Sequence, residues 1–275
     1  MKITLQDFSI NLGGGVCFSC ALPKGHYKHF KKKFSAIFAG LVVCSTFYMA
    51  MPQLEAAPRG FVNIKDISDS IQVDMAYVGR KNFLGRRVAG YEANKCYLKE
   101  EAAVALERAN QILQAQNKLI IVRDCWRPTQ ASFDMSRWAD AQDQRNLKKN
   151  DLSSTQQIIF EDTRLFDSLG FLKTSRLKRL DYLATYSNHN KGGTVDIELL
   201  EWASYRWKKA DTGTDFDVFS PRSAMNARVN ETARSNRNLI AGAMKSSGFR
   251  GLYSEWWHWT HRASNSGDYL DGTVD

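Results

Sequence analysis

Apolar side chains recur at helical spacing between residues 99 and 117, and this spacing predicts an amphipathic helix with one buried face. Residues 119–122 then read Leu-Ile-Ile-Val, a continuous apolar run that is typical of a buried strand. This strand leads directly into the segment that contains Arg127. The apolar positions of the helix are Ala102, Leu106, Ala109 and Leu113.

The middle of the chain is more polar, and its pattern predicts two helices and a strand. The helices are expected over residues 131–140 and 155–169, with Gly170 as the stop signal of the second. Polar and apolar residues alternate over 194–199, which predicts a strand on which Asp196 faces away from its two apolar neighbours.

The last third of the chain predicts a helix followed by a second core strand. The helix covers residues 231–247 and is closed by Gly248, and the strand over 249–253 leads towards Glu255. Because Glu255 and His258 are three residues apart, a regular strand would point them to opposite faces, so a bulge or a helical turn is needed to bring them together. The alternation of helices and strands predicts one domain of the α+β class.

Residues 1–57 have the pattern of an export leader. Four lysines precede an uncharged apolar run over residues 34–51, and two alanines end the stretch where a signal peptidase would cut. We therefore expect residues 58–275 to form a catalytic domain that is periplasmic or secreted. Two alternatives are an uncleaved membrane anchor that holds this domain outside the cell, and a lipidated Cys44. The lysines are Lys28, Lys31, Lys32 and Lys33.

The net charge of the 275-residue chain is +9, and much of it belongs to the leader. Residues 58–275 contain 32 basic and 27 acidic side chains, a net charge of +5. Their basic runs are short, as on solvated helix faces, so we predict no nucleic-acid binding. A membrane is expected as a partner only through an uncleaved leader, and the sequence leaves the oligomeric state open.

Two cysteines lie after the leader, Cys96 and Cys125. An exported protein folds in an oxidising compartment, where such a pair forms a disulfide. We predict this disulfide, which would brace the segment of Arg127 against the loop that contains Cys96. The alternative is a pair of buried free thiols, the commoner state in a cytosolic protein.

Histidines and carboxylates cluster in two short motifs, one with His189 and Asp196 and the other with Glu255 and His258. A catalytic zinc ion takes three such ligands and keeps one position for water. We therefore predict one Zn²⁺ per chain, held by His189, Asp196 and His258, with Glu255 as a base. Taken singly, His189 fits a Gly-rich turn and His258 fits a core packed with tryptophan. The two motifs together favour the metal site.

Four segments carry a resemblance to a known family. They are Ser187-x-His189-x-x-Gly192-x-x-x-Asp196, Glu255-Trp256-Trp257-His258-Trp259, Asp124-Cys125-Trp126-Arg127-Pro128, and Tyr77 through Asn82-Phe83-Leu84-Gly85 to Gly90-Tyr91. These segments resemble the zinc peptidase family of D-alanyl-D-alanine dipeptidases, carboxypeptidases and hedgehog-like domains. The doubled tryptophan is similar to the dipeptidase branch in particular, and the similarity extends from about Phe61 to the end of the chain.

The resemblance implies a fold, a reaction and a role for each site residue. The fold is α+β, with a central, mostly antiparallel sheet flanked by helices. The reaction is zinc-dependent hydrolysis of the dipeptide D-Ala-D-Ala to two D-alanines, with Glu255 as general base and Arg127 stabilising the oxyanion. Asp217 matches a position that meets the ammonium group of the substrate, and Tyr77 is expected to assist Asp217 in binding the substrate there. Ser187 either contacts the substrate or only caps its loop.

Two other functions are compatible with the same motifs. A murein carboxypeptidase or endopeptidase would use the same zinc on longer stem peptides, and an open cleft would favour it over a closed pocket. A hedgehog-like protein that binds the cell wall would not catalyse a reaction. Such a binding protein needs neither Glu255 nor Arg127, so the presence of both favours an enzyme.

Overall fold

The structure is a computed structural model that describes residues 59–275. The predicted leader, with the alternatives of an anchor and of a lipidated Cys44, lies outside these residues. The strands are β1 Phe61–Asn63, β2 Gln72–Val73, β3 Tyr97–Lys99, β4 Lys118–Asp124, β5 Thr194–Ala203, β6 Arg206–Lys209, β7 Phe249–Gly251 and β8 His258–His261. The α-helices are α1 Ile64–Ile67, α2 Glu100–Gln114, α3 Thr129–Gln142, α4 Ser154–Ile159, α5 Arg176–Arg179 and α6 Glu231–Ser246.

A six-stranded sheet forms the centre of the fold. Its strand order is β2-β4-β5-β8-β7, and β6 pairs with the far half of β5. The β2–β4 pair is parallel, and every other pair in this sheet is antiparallel. A separate antiparallel pair joins β1 to β3. The α+β class and the mostly antiparallel central sheet are thus as predicted.

The two long helices α2 and α6 pack on each other and on the sheet, α2 against β4 and α6 against β7. The four apolar positions of α2 that predicted its buried face are all buried. Its buried face contributes to one continuous hydrophobic core. Between residues 59 and 275, none of the helices combines the length and hydrophobicity that crossing a bilayer requires.

The predicted helix over residues 155–169 is wrong in extent, because α4 ends at Ile159. Beyond that point the backbone pairs with another segment: Phe219 donates to Ile159, and Asp162 donates to Phe219, each at 2.8 Å. The Asp162 carboxylate then caps a short 3-10 helix by accepting from the backbone N–H of Arg164 at 2.9 Å. Tertiary pairing thus replaces the helical hydrogen bonds that the local pattern favours.

The predicted strand over residues 249–253 is also wrong in extent. The strand β7 ends at Gly251, and the backbone N–H of Leu252 donates to the carbonyl of His258 at 3.0 Å. This bond closes a loop over residues 252–257, after which β8 returns antiparallel to β7. Glu255 therefore lies in a connection between two strands rather than on one.

Candidate metal centre and active-site cavity

The three side chains predicted to bind a metal converge on one face of the central sheet. His189 belongs to the 3-10 helix Asn188–Lys191 before β5, Asp196 to β5 and His258 to the start of β8. Asp196 and His258 are direct partners in the β5–β8 ladder, so their side chains project from the same face. The atoms His189 Nε2, Asp196 Oδ1 and His258 Nδ1 lie 3.0–3.2 Å from one another.

These distances and donor types fit a zinc ion. Ligands at 2.0–2.1 Å from a tetrahedral zinc lie about 3.3 Å from each other. Asp196 Oδ1 is buried, and within residues 59–275 it has no hydrogen-bond partner. Such an oxygen is costly to bury unless a cation faces it. The arrangement can hold a divalent cation, and the assignment of these side chains as its ligands stays a prediction.

Contacts behind the donor atoms fix the orientation of His189. Its Nδ1–H donates to the carbonyl of Cys125 at 2.7 Å, which leaves the lone pair of Nε2 facing Asp196. Burial lowers the pKa of His189, but the carboxylates of Asp196 and Asp124 outweigh burial and raise it. Burial raises the pKa of Asp196, but the two imidazoles outweigh burial and hold it well below its usual range. A cation that binds here therefore competes with protons for these donors.

The loop that presents His189 is shaped by its own sequence. Ser187 Oγ accepts from the backbone N–H of His189 at 3.2 Å, and Asn190 Oδ1 accepts from the backbone N–H of Ser187 at 2.7 Å. Gly192 ends the 3-10 helix with a φ of 77°, and a Cβ at this position would overlap the ring of Phe61. Only glycine fits, so the chain can turn sharply into β5.

Glu255 approaches the same point from the loop between β7 and β8. The backbone N–H of His258 donates to the carbonyl of Glu255 at 3.4 Å, which is the helical turn that the three-residue spacing requires. Glu255 Oε2 then lies 3.8 Å from His258 Nδ1. Burial raises the pKa of Glu255 to about 8, so its carboxyl exchanges a proton close to neutral pH.

Arg127 is held at the end of β4 by a buried carboxylate. Its Nε and Nη2 donate to Asp124 Oδ2 at 3.0 and 2.7 Å, and Tyr91 donates its hydroxyl to Asp124 Oδ1 at 2.5 Å. Asp124 Oδ2 also lies 3.6 Å from His189 Nδ1. The Arg127 guanidinium stacks over the ring of Tyr77, 5.3 Å from its centroid. Its charge is thus fixed beside the candidate metal centre.

Asp217 and Tyr77 form a buried pair on the same cavity. The Tyr77 hydroxyl donates to Asp217 Oδ2 at 2.8 Å. Asp217 has a φ of 62°, a conformation that is uncommon outside glycine and is often found at functional sites. Burial, followed by the negative charge of Asp196, raises the pKa of Asp217 to about 7.

All eight residues predicted for catalysis, metal binding and substrate binding line one cavity of about 100 Å³. This volume is well below the roughly 300–1,000 Å³ of sites for drug-sized ligands. The remaining lining includes two aromatic rings, Phe83 and Phe219, and the segment 181–184. A cavity of this size suits a very small ligand.

The predicted disulfide is present in the structure and links Cys96 to Cys125. It ties the loop before β3 to the segment that follows β4, and the Cys125 carbonyl is the acceptor for His189. The three tryptophans of the second motif are buried and lie outside the cavity lining, so they belong to the core. They are Trp256, Trp257 and Trp259.

Sequence reasoning missed the part that Asp124 plays, since it names this acid only as the first residue of the motif that contains Arg127. The structure adds His189 and Tyr91 to its neighbours. The signal available in the sequence is the position of Asp124 at the end of a strong apolar strand, where an acid is unexpected.

Comparison with known proteins finds one matching family model and several similar curated proteins. A family model described as D-Ala-D-Ala dipeptidase, peptidase family M15, matches residues 57–271. A D-alanyl-D-alanine dipeptidase of Enterococcus faecalis is 27% identical over 202 residues, which cover 73% of this chain and 91% of the relative. One of Enterococcus faecium is 28% identical, with 74% of this chain and 92% of the relative covered. One of Escherichia coli K12 is 25% identical, with 72% and 82% covered.

Proposed function

Because the chain belongs to the D-Ala-D-Ala dipeptidase family of metallopeptidases, we propose that it hydrolyses the free dipeptide D-Ala-D-Ala to two D-alanines with one bound Zn²⁺. One observation carries the proposal. The three converging donor atoms, the partly buried Glu255 and the buried Asp217 all face a single cavity of about 100 Å³. These groups would bind the ammonium end of a small dipeptide and cleave its peptide bond.

His189, Asp196 and His258 would hold the zinc ion. When bound, zinc lowers the pKa of a water molecule and polarises the scissile carbonyl. The choice of zinc rests on the donor set, since two imidazoles and one carboxylate with an open fourth position are typical of catalytic zinc.

Glu255 would move the proton. Its carboxylate takes a proton from the attacking water as the new carbon–oxygen bond forms, and it returns that proton to the amine nitrogen as the carbon–nitrogen bond breaks. Burial raises the pKa of Glu255 to about 8 in the metal-free site, and the charge of a bound zinc ion would oppose this shift and favour the carboxylate that accepts the proton. Arg127 would donate to the oxygen that becomes negative in the transition state. Its hydrogen bonds to Asp124 use Nε and Nη2, so Nη1 is the donor proposed for the substrate.

Asp217 would recognise the free amine of the dipeptide. A buried carboxylate attracts an ammonium group strongly, since little water screens the pair. Tyr77 fixes the rotamer of Asp217 through its hydroxyl. An acid at the amine end and a cavity of about 100 Å³ together favour a dipeptide over a stem peptide, whose chain continues beyond that point.

The test is the release of D-alanine by the zinc-loaded protein. Its substrates are D-Ala-D-Ala, L-Ala-L-Ala and a pentapeptide that ends in D-Ala-D-Ala. We expect turnover of the free D,D-dipeptide alone, and loss of at least about a thousandfold in kcat for Glu255→Gln with zinc content unchanged. Glu231→Gln, which alters an exposed carboxylate at the start of α6, is the matched control. Cleavage of the pentapeptide would instead identify a carboxypeptidase, and no Glu255-dependent turnover would favour a wall-binding protein.

We also propose that the protein is exported. The charged and apolar pattern of residues 1–57 supports export, and so does the Cys96–Cys125 disulfide, which is favoured in an oxidising compartment. The measurement is the N-terminal sequence of the protein recovered from each cell fraction. A new N-terminus near residue 58 in the exported fraction is the expected result, and intact chain in the cytoplasm alone would contradict export.

A further inference from the structure

The hairpin formed by β5 and β6 carries an exposed aromatic cluster that belongs neither to the hydrophobic core nor to the cavity lining. We define the hairpin tip as residues 202–208. The side chains of Trp202 and Trp207 are 51% and 39% exposed, and that of Tyr205 is 95% exposed. By the rise of β5, the backbone of Trp202 lies about 20 Å from Asp196, and the turn that contains Tyr205 lies about 26 Å from it.

Tyr205 is the residue of this cluster whose place in the turn is hardest to explain by the fold alone. Ser204 and Tyr205 are the two central residues of the turn, and they have φ values of 54° and 60°. Hairpin turns with positive φ at both positions strongly favour Asn-Gly, because a side chain strains this conformation. A bulky ring here makes the turn less stable and is almost fully in water. Its presence therefore indicates a contact with something outside the chain.

The two tryptophans have a structural explanation that Tyr205 lacks. Trp202 and Trp207 are partners across the ladder, and their rings form an edge-to-face pair with centroids 5.3 Å apart. Such cross-strand pairs stabilise a hairpin that extends beyond the body of its sheet. The pair thus holds the tip rigid and presents its indole rings on one face.

The charges of the tip have one sign. Residues 202–208 contain Arg206 and Lys208, and the nearest acid, Glu201, is the ladder partner of Lys208 but forms its ion pair with Lys118 at 2.7 Å. Within the described part of the chain, neither cation forms an ion pair, and Lys208 Nζ donates only to Ser204 Oγ at 3.0 Å. Alternation along β6 puts Arg206 and Lys208 on the face opposite Trp207, with Tyr205 in the turn between the faces.

We propose that the hairpin tip docks the protein on a membrane surface rich in anionic lipid headgroups. Tyrosine and tryptophan rings prefer the boundary between headgroups and acyl chains, because one end of each ring system is apolar and the other forms hydrogen bonds. Arginine and lysine on the other face of the tip are attracted to anionic lipids, and their long side chains can extend their charged ends to the headgroups. The proposal is independent of the chemistry in the cavity.

Vesicle binding by the full-length chain tests the proposal. Vesicles of phosphatidylcholine with phosphatidylglycerol, or of phosphatidylcholine alone, are sedimented with wild type and with the double variant Arg206→Gln, Lys208→Gln. We expect the double variant to bind the anionic vesicles about tenfold or more weakly than wild type. The matched control, Arg234→Gln with Lys245→Gln, removes two exposed charges of α6 and should change binding less than about twofold. Equal binding of the two double variants would overturn the proposal.

Hydrogen–deuterium exchange of the same full-length chain gives a readout that is local to the hairpin. Anionic vesicles should slow exchange of the amides in residues 202–208, and neutral vesicles should not. Protection by isolated peptidoglycan without protection by vesicles would assign the tip to a glycan partner and overturn the membrane proposal.

Tyr205→Asn separates a docking role from a structural one. Asparagine suits the positive φ, so the Tm should stay unchanged or rise, while vesicle binding weakens and dipeptide turnover stays the same. A fall in Tm with unchanged vesicle binding would show that the ring serves the fold instead.

Discussion

Asp124 is the residue on which two of the proposed functional groups depend. Its carboxylate accepts two hydrogen bonds from Arg127 and lies 3.6 Å from the imidazole of His189. Asp124 is fully buried and does not line the cavity, so it acts through these neighbours and is a positioning residue. Removing it would leave the guanidinium of Arg127 buried without a partner, which is costly.

Asp124→Asn should therefore reduce both activity and stability. We expect kcat/KM to fall about 10- to 100-fold, as when a group that orients a ligand is lost. The free energy of unfolding should fall by about 3–5 kcal/mol. Dipeptide kinetics and urea unfolding measure the two effects. Tyr91→Phe, which removes one hydrogen bond to the same carboxylate and keeps the charge pair, should cost about 1–2 kcal/mol. Equal losses in the two variants would contradict the positioning role.

The candidate metal ligands and Glu255 can be recognised from the sequence because they lie in two short motifs whose spacing is informative by itself, whereas Asp217 and Tyr77 follow only from the family resemblance. His189 and Asp196 are separated by one turn and the start of a strand, and Glu255 and His258 by one helical turn. The contacts of Asp124 cannot be recognised from any short motif. They join β4 to a loop and to Tyr91, which are distant in the sequence, and only the folded chain brings them together.

At the scale of elements, the 3-10 helix before β5 depends on Gly192. Gly192→Ala adds a Cβ that overlaps Phe61 at a φ of 77°, so the unfolding free energy should fall by about 3 kcal/mol or more. Displacement of this helix should also weaken zinc binding, because His189 belongs to it. Gly170→Ala is the matched control, since its φ is 80° and a Cβ there meets nothing within 4 Å. Gly170→Ala should lower the free energy of unfolding by about 1 kcal/mol and leave zinc affinity unchanged. Thermal unfolding and a zinc titration distinguish the two variants.

The Cys96–Cys125 disulfide should stabilise the segment behind the site. The two residues are 29 apart in the sequence, and closing a loop of that length is worth about 3–4 kcal/mol in the loop-entropy account. We expect Cys96→Ser, Cys125→Ser to lose that stability in urea unfolding. KM should change more than kcat if the looser segment mainly affects binding. An unchanged unfolding midpoint would mean that the bridge adds nothing to the stability of the domain.

Helices whose apolar residues recur at helical spacing are well predicted from the sequence. Elements whose ends depend on contacts with distant segments are not. The helix predicted over 99–117 is α2, Glu100–Gln114, and that over 231–247 is α6, Glu231–Ser246. The helix predicted over 131–140 is α3, which is longer at both ends. By contrast, α4 ends early because its continuation pairs with Phe219. The strand β6 was not predicted, since its charged and aromatic residues give no alternation that points to a core.

At the scale of the whole molecule, metal binding and pH should control stability together. Burial raises the pKa of Glu255 to about 8 and that of Asp217 to about 7, and carboxylates raise the pKa of His189 against the effect of burial. Between pH 5 and 8 the metal-free native state therefore holds protons at Glu255 and Asp217 that the unfolded chain has released, and above about pH 6.5 the same is true of His189. Stability must then fall as the pH rises through this window. Burial lowers the pKa of His261, so this one group makes stability rise with pH and partly offsets the other three.

We expect the Tm of the metal-free protein to fall by roughly 5 °C or more between pH 5 and pH 8, equivalent to about 2 kcal/mol. The rise in Tm on adding zinc should be largest at pH 8, because the ligands bind a metal only when deprotonated. Thermal unfolding with a chelator and with zinc at four pH values measures both trends.

In the double variant Asp217→Asn, Glu255→Gln, the Tm of the metal-free protein should lose most of its pH dependence, since two of the three titrating groups are gone. A metal-free Tm that rises from pH 5 to 8 would mean that these acids are charged and solvated in the native state. The cavity would then lack the desolvation on which the proposed proton transfer by Glu255 depends.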